Sequence, residues 1–225
     1  NPAQPKVHGM ENTINISQID MIVEAPATPL PSIVAKDATD IEKKIATHIV
    51  DKIESGSTLQ LGIGGMPNYV GKMIAESDIN DLSVHTEMFV DAYVELYKQG
   101  KITGNKNTNK GKMVFTFAMG SQEVYDFLDD NPMGFMAPVD YVNAVEGIAA
   151  NDKAVSINSC LQVDLFGQVN SESDGLQHIG GTGGQLDFVM GSFQSKGGKS
   201  FLCTPSVRKY KDGSVRSLIL PTLPE

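Results

Sequence analysis

Cysteine is scarce: Cys160 and Cys203 are the only two in 225 residues, and they form no Cys-x-x-Cys pair. So small a supply excludes a disulfide framework in a chain of this size and fits a reducing cytoplasm. Long apolar runs are missing too. None approaches the roughly 18 to 20 residues of a membrane-spanning helix, and no basic, apolar leader opens the sequence, so a soluble, unexported protein is expected. Positive charge is in deficit, with 18 Lys and Arg against 27 Asp and Glu and a formal net charge of -9. Phosphate binding by counterion release needs clustered cations, so nucleic acid and anionic membranes are not expected partners, and any anionic ligand must be met locally. What is present, 40% hydrophobic residues, suffices for a core of ordinary domain size.

The chain opens at Asn1, without an initiator Met, and places Pro2, Pro5 and Gly9 close together. That is linker composition. It stops at Leu220-Pro-Thr-Leu-Pro-Glu225, just after a strand-like run. Residues 1–36 are therefore expected to be a linker and lead-in, residues 37–225 one α/β domain, and the whole a fragment of a longer protein.

Ile41, Ile45, Ile49 and Ile53 recur every four positions and predict a helix over 39–55. Thr39 with Glu42 has capping-box spacing, and Gly56 lies where a left-handed cap is wanted. Leu59, Leu61 and Ile63 then alternate with Thr58, Gln60 and Gly62, as in a strand, before the turn Gly62-Ile-Gly-Gly-Met-Pro-Asn68. Pro67 suits the first turn of a following helix. Leu82, Val84 and Thr86 alternate with Ser83, His85 and Glu87 and lead into helical spacing at Ala92, Tyr93, Leu96 and Tyr97, ended by Gly100. Met113 to Met119 reads as a strand, followed by Gly120, a Ser121 cap and a short helix with Val124, Phe127 and Leu128. A helix over 140–150, an extended run from Ala154 to Leu165, a glycine-dense stretch from Gly175 to Gly184, and strands at Phe201 to Thr204 and Val215 to Leu220 complete the pattern. Strands alternating with helices predict an α/β fold with an open, mostly parallel sheet flanked by helices.

Three places carry candidate chemistry. Gly62, Gly64 and Gly65 lie between a strand and a helix, where glycine permits positive φ and unpaired N–H groups face an anion or oxyanion. The motif is neither a dinucleotide fingerprint nor a Walker loop, and a purely structural tight turn is the plainer reading. Glu87 ends a strand, and carboxyl ends of strands are where ligands bind in open α/β sheets, although a solvated edge carboxylate would look the same. His85 and Glu87 have the H-x-E spacing of zinc deaminases, but no Pro-Cys-x-x-Cys follows and no metal site is expected. The third place is Gly180, Gly181, Gly183 and Gly184, with Lys196 and Lys199 downstream: backbone donors around a concavity, or else a surface loop. Asn158, Asp164, Gln168, Asn170 and Glu172 read mainly as strand and turn positions, and His48 as a packed helix residue.

Taken together, Gly62 to Val70, Leu82-Ser-Val-His-Thr-Glu-Met-Phe89, Val163 to Glu172, Gly180 to Phe188 and Ser195 to Ser200 resemble the acetyl-CoA hydrolase/transferase family, in family order and over most of the chain. The resemblance implies a CoA-transferase (sugar-phosphate isomerase-like) fold of two related α/β domains, of which this chain is most of the second. The amino-terminal domain and the family's closing segment are expected to be absent.

It further implies CoA transfer between short carboxylic acids, of the acetate and butyrate or 4-hydroxybutyrate type, by a ping-pong mechanism through a glutamyl-CoA thioester on Glu87. Coenzyme A enters as substrate and covalent intermediate, with no permanently bound cofactor. Asn143 matches an asparagine near that glutamate. Backbone groups at Gly64, Gly65, Met66, Gly180, Gly181, Gly183 and Gly184, with Lys199, are expected to form the oxyanion and CoA-binding parts. Self-association is common in the family. Asn68 and Tyr69 depart from its usual Asp and small residue. Acyl-CoA hydrolysis at the same glutamate, and a non-catalytic anion-binding or sensor domain on the related isomerase fold, remain open.

Overall fold

The computed structural model describes residues 1–33, 37–62, 64–175 and 177–223. Ile63, read above as a strand position, lies outside them.

Helix α1 (Asp40–Val50) starts where predicted. Thr39 Oγ1 accepts from the Glu42 N–H at 3.3 Å and the Glu42 carboxylate accepts from the Thr39 N–H at 2.7 Å, a reciprocal capping box. It ends before residue 55, because the N–H groups of Lys52 and Ile53 turn back onto Ile49 and Val50. Gly56 does take a left-handed φ of 82°, but in the following loop, where it donates to Asn80. Ile41 is 52% exposed, so the buried stripe is Ala46, Ile49 and Val50. His48, expected to be packed, is exposed.

Strand β1 (Thr58–Leu61) and helix α2 (Gly65–Glu76) follow, then β2 (Ser83–Val84), β3 (Met88–Phe89) and α3 (Asp91–Lys98). The predicted strand from Met113 to Met119 is two, β4 (Met113–Phe115) and β5 (Phe117–Ala118), before α4 (Gln122–Leu128) and β6 (Gly134–Met136). The predicted helix over 140–150 is also two, α5 (Val139–Val142) and α6 (Val145–Ala149), because Ala144 has an extended ψ of 120°. The remainder comprises β7 (Ala154–Ser159), β8 (Gln162–Asp164), β9 (Val169–Asn170), β10 (Ser173–Asp174) and β11 (Gln177–His178). Then come helix α7 (Gln185–Gln194), β12 (Lys199–Cys203), β13 (Val207–Lys209), β14 (Val215–Ser217) and β15 (Ile219–Leu220).

The central sheet is parallel, in the order β12-β7-β1-β2. A parallel bridge between His85 and Val114 continues it to the β4-β6 pair. Within residues 1–36, expected to be a linker and lead-in, a parallel bridge sets Gly9 beside β6: His8 and Met10 exchange backbone bonds with Met136 at 2.8 Å, and a Cβ on Gly9 would overlap the Met136 carbonyl. Strands buried on both faces need no polar alternation, so Leu82 to Thr86 are buried without a break.

Helices cover both faces. One core joins Leu59, Leu61, Val70, Ile74, Phe89, Tyr93 and Phe115, all nearly inaccessible. A smaller one joins Val114 of β4 to Val142, Ile148 and Phe188 on α5, α6 and α7. A Cβ on Gly71 would lie 2.5 Å from the Ala92 Cβ, so glycine lets α2 and α3 approach. No helix among the described residues is long and apolar enough to cross a membrane.

Candidate active site

Glu87 sits where the chain changes sheet partner. Thr86 donates to Val114 at 3.0 Å, and the Glu87 carbonyl then accepts from Thr116 at 2.9 Å and Phe117 at 3.1 Å. With its backbone held by the neighbouring segment, the half-buried side chain turns toward α7, where its Oε2 accepts the Gly184 N–H at 3.0 Å. Gly184 is the N-cap of this ten-residue helix. Unpaired N–H groups and the helix dipole there favour negative charge.

Asn143 reaches the same point. It ends α5, donating its N–H to Val139 at 2.8 Å, and is buried. A Cβ built on Gly184 would overlap both the Glu87 Oε2 and the Asn143 Nδ2, so these two side chains and the Gly184 backbone converge on one spot. The Asn143 Oδ1 is buried with no hydrogen-bond partner among the described residues. The cluster thus offers a nucleophile with two N–H donors beside it.

Comparison with known proteins shows the family of the chain. Residues 120–225, which include Asn143 and Gly184, match the Acetyl-CoA hydrolase/transferase C-terminal domain. Over 96% of its length the chain is 50% identical to butyryl-CoA:acetate CoA-transferase of Anaerostipes caccae, covering 49% of that protein. The chain belongs to the acetyl-CoA hydrolase/transferase family. Its structure superposes on RipA from Yersinia pestis with a TM-score of 0.88 and 42% identity, over 98% of this chain and 49% of RipA. It superposes on 4-hydroxybutyrate CoA-transferase from Porphyromonas gingivalis with a TM-score of 0.82 and 38% identity, over 97% of this chain and 51% of that one. The chain spans about half the length of these relatives.

Within this family domain the other expected residues separate. Gly64 caps α2 at a φ of 123°, a conformation that favours glycine, with Gly65 and Met66 in the first turn. β1 and β2 run parallel, so this turn and Glu87 both follow the carboxyl ends of their strands. In the second glycine stretch the amide that reaches Glu87 belongs to Gly184 and not to Gly181. Gly180 donates to Glu172, and open space surrounds the Cβ positions of Gly180, Gly181 and Gly183.

Lys199 is elsewhere. It begins β12, at the amino edge of the sheet, where its ammonium binds the Lys52 carbonyl at 2.9 Å and Glu54 at 2.6 Å. The cations next to Gly65 are instead Lys43 and Lys72, which line a surface cavity of about 430 Å³ with Asn68 and Tyr69. Sequence reading missed both, because only the fold brings α1 and α2 together.

The pairings of Gln60 with Asn158 and of Tyr93 with Leu61 were also out of sequence reach, whereas Asp164 and Asn170 do hold turns as read. Gln60 and Asn158 exchange two side-chain bonds, at 3.0 and 2.9 Å, across β1 and β7. The Tyr93 hydroxyl accepts the Leu61 N–H at 2.7 Å, and burial pushes its phenol well above the ordinary range. Asp164 and Asn170 hold turns, accepting from Phe166 and Gln168 and from Glu172 and Ser173 respectively.

His85 is 4% exposed, and its Nε2 lies 2.7 Å from the Val142 carbonyl. Burial depresses its pKa to about 4, opposed by the Val142 bond and assisted by the buried Lys106 ammonium. Lys106 is itself pushed down to about 8 by burial. Between about pH 6.5 and pH 4 the unfolded imidazole binds a proton that the folded one refuses. His85 therefore favours folding fully only above pH 6.5, and that contribution disappears as the pH falls toward 4. Denaturant titrations across this window should show stability declining with acidification, with a smaller decline in His85→Gln.

Proposed function

We propose that this chain is the glutamate-bearing half of a CoA-transferase that moves CoA between short carboxylic acids. The observation that carries the proposal is the Glu87 carboxylate, held at 3.0 Å by the amide of Gly184, the N-cap of α7, with the Asn143 amide beside it. The names of the relatives support the same reading, and butyrate, 4-hydroxybutyrate and acetate are the acids those names suggest.

The steps follow from the groups present. The Glu87 carboxylate attacks the thioester carbon of acyl-CoA, and collapse of the tetrahedral adduct expels CoA thiolate and leaves an acyl-glutamyl anhydride. The thiolate then attacks the glutamyl carbonyl, releasing the first acid and forming a glutamyl-CoA thioester. An incoming carboxylate attacks that thioester and the sequence runs backward to a new acyl-CoA. A carboxylate suits this role because both carbonyls of its anhydride are similarly reactive.

Each addition creates an oxyanion. The Gly184 N–H and the Asn143 Nδ2–H are its proposed donors, each contributing about 3 kcal/mol if they act as such donors do elsewhere. The amides of Gly65 and Met66 at the start of α2 are the proposed donors for the other carbonyl. Lys43 and Lys72 are the proposed contacts for CoA phosphates. The half of the protein that the relatives contain and this chain does not is proposed to close the site, in a cytoplasmic enzyme that self-associates.

Full-length protein incubated with acyl-CoA and borohydride tests this. Reduction should convert Glu87 alone to a primary alcohol, read by peptide mass spectrometry. An active enzyme with Glu87 unmodified overturns the assignment. CoA release without an acceptor acid would mark a hydrolase, whereas acceptor-dependent exchange marks a transferase.

A further inference from the structure

His85 takes no part in the steps above, yet it is a buried polar ring beside them. A carbonyl can only accept, so the 2.7 Å contact with Val142 requires Nε2 to carry the proton. The other ring nitrogen, Nδ1, is buried without a partner among the described residues. Leaving such an atom unbonded costs on the order of 1 to 3 kcal/mol, so an apolar residue would fill the space at less cost if filling were the whole role.

The placement of its contacts suggests what the ring does. Val142 immediately precedes Asn143 and closes α5, a single turn whose last carbonyls have no continuing helix to bond. On the other side, the ring of Phe188 meets His85 edge-on, with centroids 6.2 Å apart and planes at 63°. Phe188 lies in the first turn of α7, where its N–H donates to the Gly184 carbonyl at 3.1 Å. Glu87 follows two residues along the chain from His85 itself. One side chain therefore touches both elements that bring donors to the carboxylate.

We infer that His85 is a positioning residue. Its Nε2–H bond to Val142 and its edge contact with Phe188 set the separation of Asn143 and Gly184 around Glu87. The inference rests on the proposed role of Glu87. It concerns the assembly of the donors in the transition state and not the binding of CoA, so its loss should appear in kcat and leave KM nearly unchanged.

The test uses full-length protein carrying His85→Gln, His85→Asn or His85→Leu. Glutamine places an amide N–H where Nε2 stands, asparagine is too short to reach Val142, and leucine fills the volume without a donor. We expect kcat to fall by about a hundredfold in the Asn and Leu variants, the size of effect seen when reacting groups are misplaced by about 1 Å. Glutamine should restore most of it, with KM for acyl-CoA within about twofold throughout. Should the Leu variant fail to fold, the Gln and Asn pair, matched in polarity, still decides. Equal kcat in Gln and Asn, or a change confined to KM, overturns the inference. Borohydride labelling of the wild type keeps the two failures apart. A labelled Glu87 with indifferent His85 variants removes only the positioning role, and an unlabelled Glu87 in active wild type removes the reading beneath it.

Discussion

Glu87→Gln in the full-length protein is expected to fold normally and to lose CoA transfer by at least about a thousandfold, since removal of a covalent nucleophile ordinarily costs that much or more. The amide is nearly isosteric with the carboxylate, and its oxygen can still accept the Gly184 N–H that now bonds Oε2. Backbone anchoring to Thr116 and Phe117 does not depend on the side chain. What disappears is the nucleophile, because an amide oxygen does not form the anhydride. Glu87→Asp separates reach from chemistry. It keeps the carboxylate but withdraws it by one methylene from Gly184, and an intermediate loss is expected. Steady-state kinetics with circular dichroism and thermal melts provide the check. An active Gln variant would show that the carboxylate is not the group acylated.

Gly184→Ala should produce the next largest effect, by a different route. Gly184 has φ of -77° and ψ of 5°, which any residue adopts, so alanine introduces no backbone strain. Its Cβ, however, occupies the place where the Glu87 Oε2 and the Asn143 Nδ2 meet. Either the side chains move apart or the first turn of α7 shifts away from them. Both outcomes remove a donor from the carboxylate, and losing one such donor costs about a hundred- to a thousandfold in kcat. Stability should fall only by about 1 to 3 kcal/mol, the usual cost of overpacking. The kinetic loss should therefore exceed what melting temperature explains. Wild-type kcat in the Gly184→Ala variant would mean that α7 and the two side chains do not work as a unit.

The parts of this fold that local chemistry specifies were legible in the sequence. Thr39 and Glu42 announce the start of α1, and the strand, glycine turn and helix around Gly64 follow in the order read. Tertiary contacts decided what was missed. Helix α7 gives no reading of its own in the sequence, and its Gly191 is required by packing, since a Cβ there would meet the Ile148 side chain at 2.5 Å. Docking of residues 8–10 on β6 depends on a partner more than a hundred positions away. At the site, Glu87 stood out by its place at a strand end and Asn143 only through family resemblance. Gly184 was one of four neighbouring glycines, and only the structure distinguishes the one with no room for a side chain. Lys199 was grouped with them by proximity in sequence, but a parallel strand carries it to the opposite edge of the sheet. His85 was legible only as a strand position, because its partners, Val142 and Phe188, lie on separate elements.

The bond between the N-cap amide of α7 and Glu87 has a temporal consequence. In the resting protein that amide meets a carboxylate; in the proposed mechanism Glu87 becomes a neutral anhydride or thioester, whose carbonyl oxygen is a weaker acceptor. The contact that ties the loop before α7 to Glu87 would then weaken and strengthen once in every proposed round.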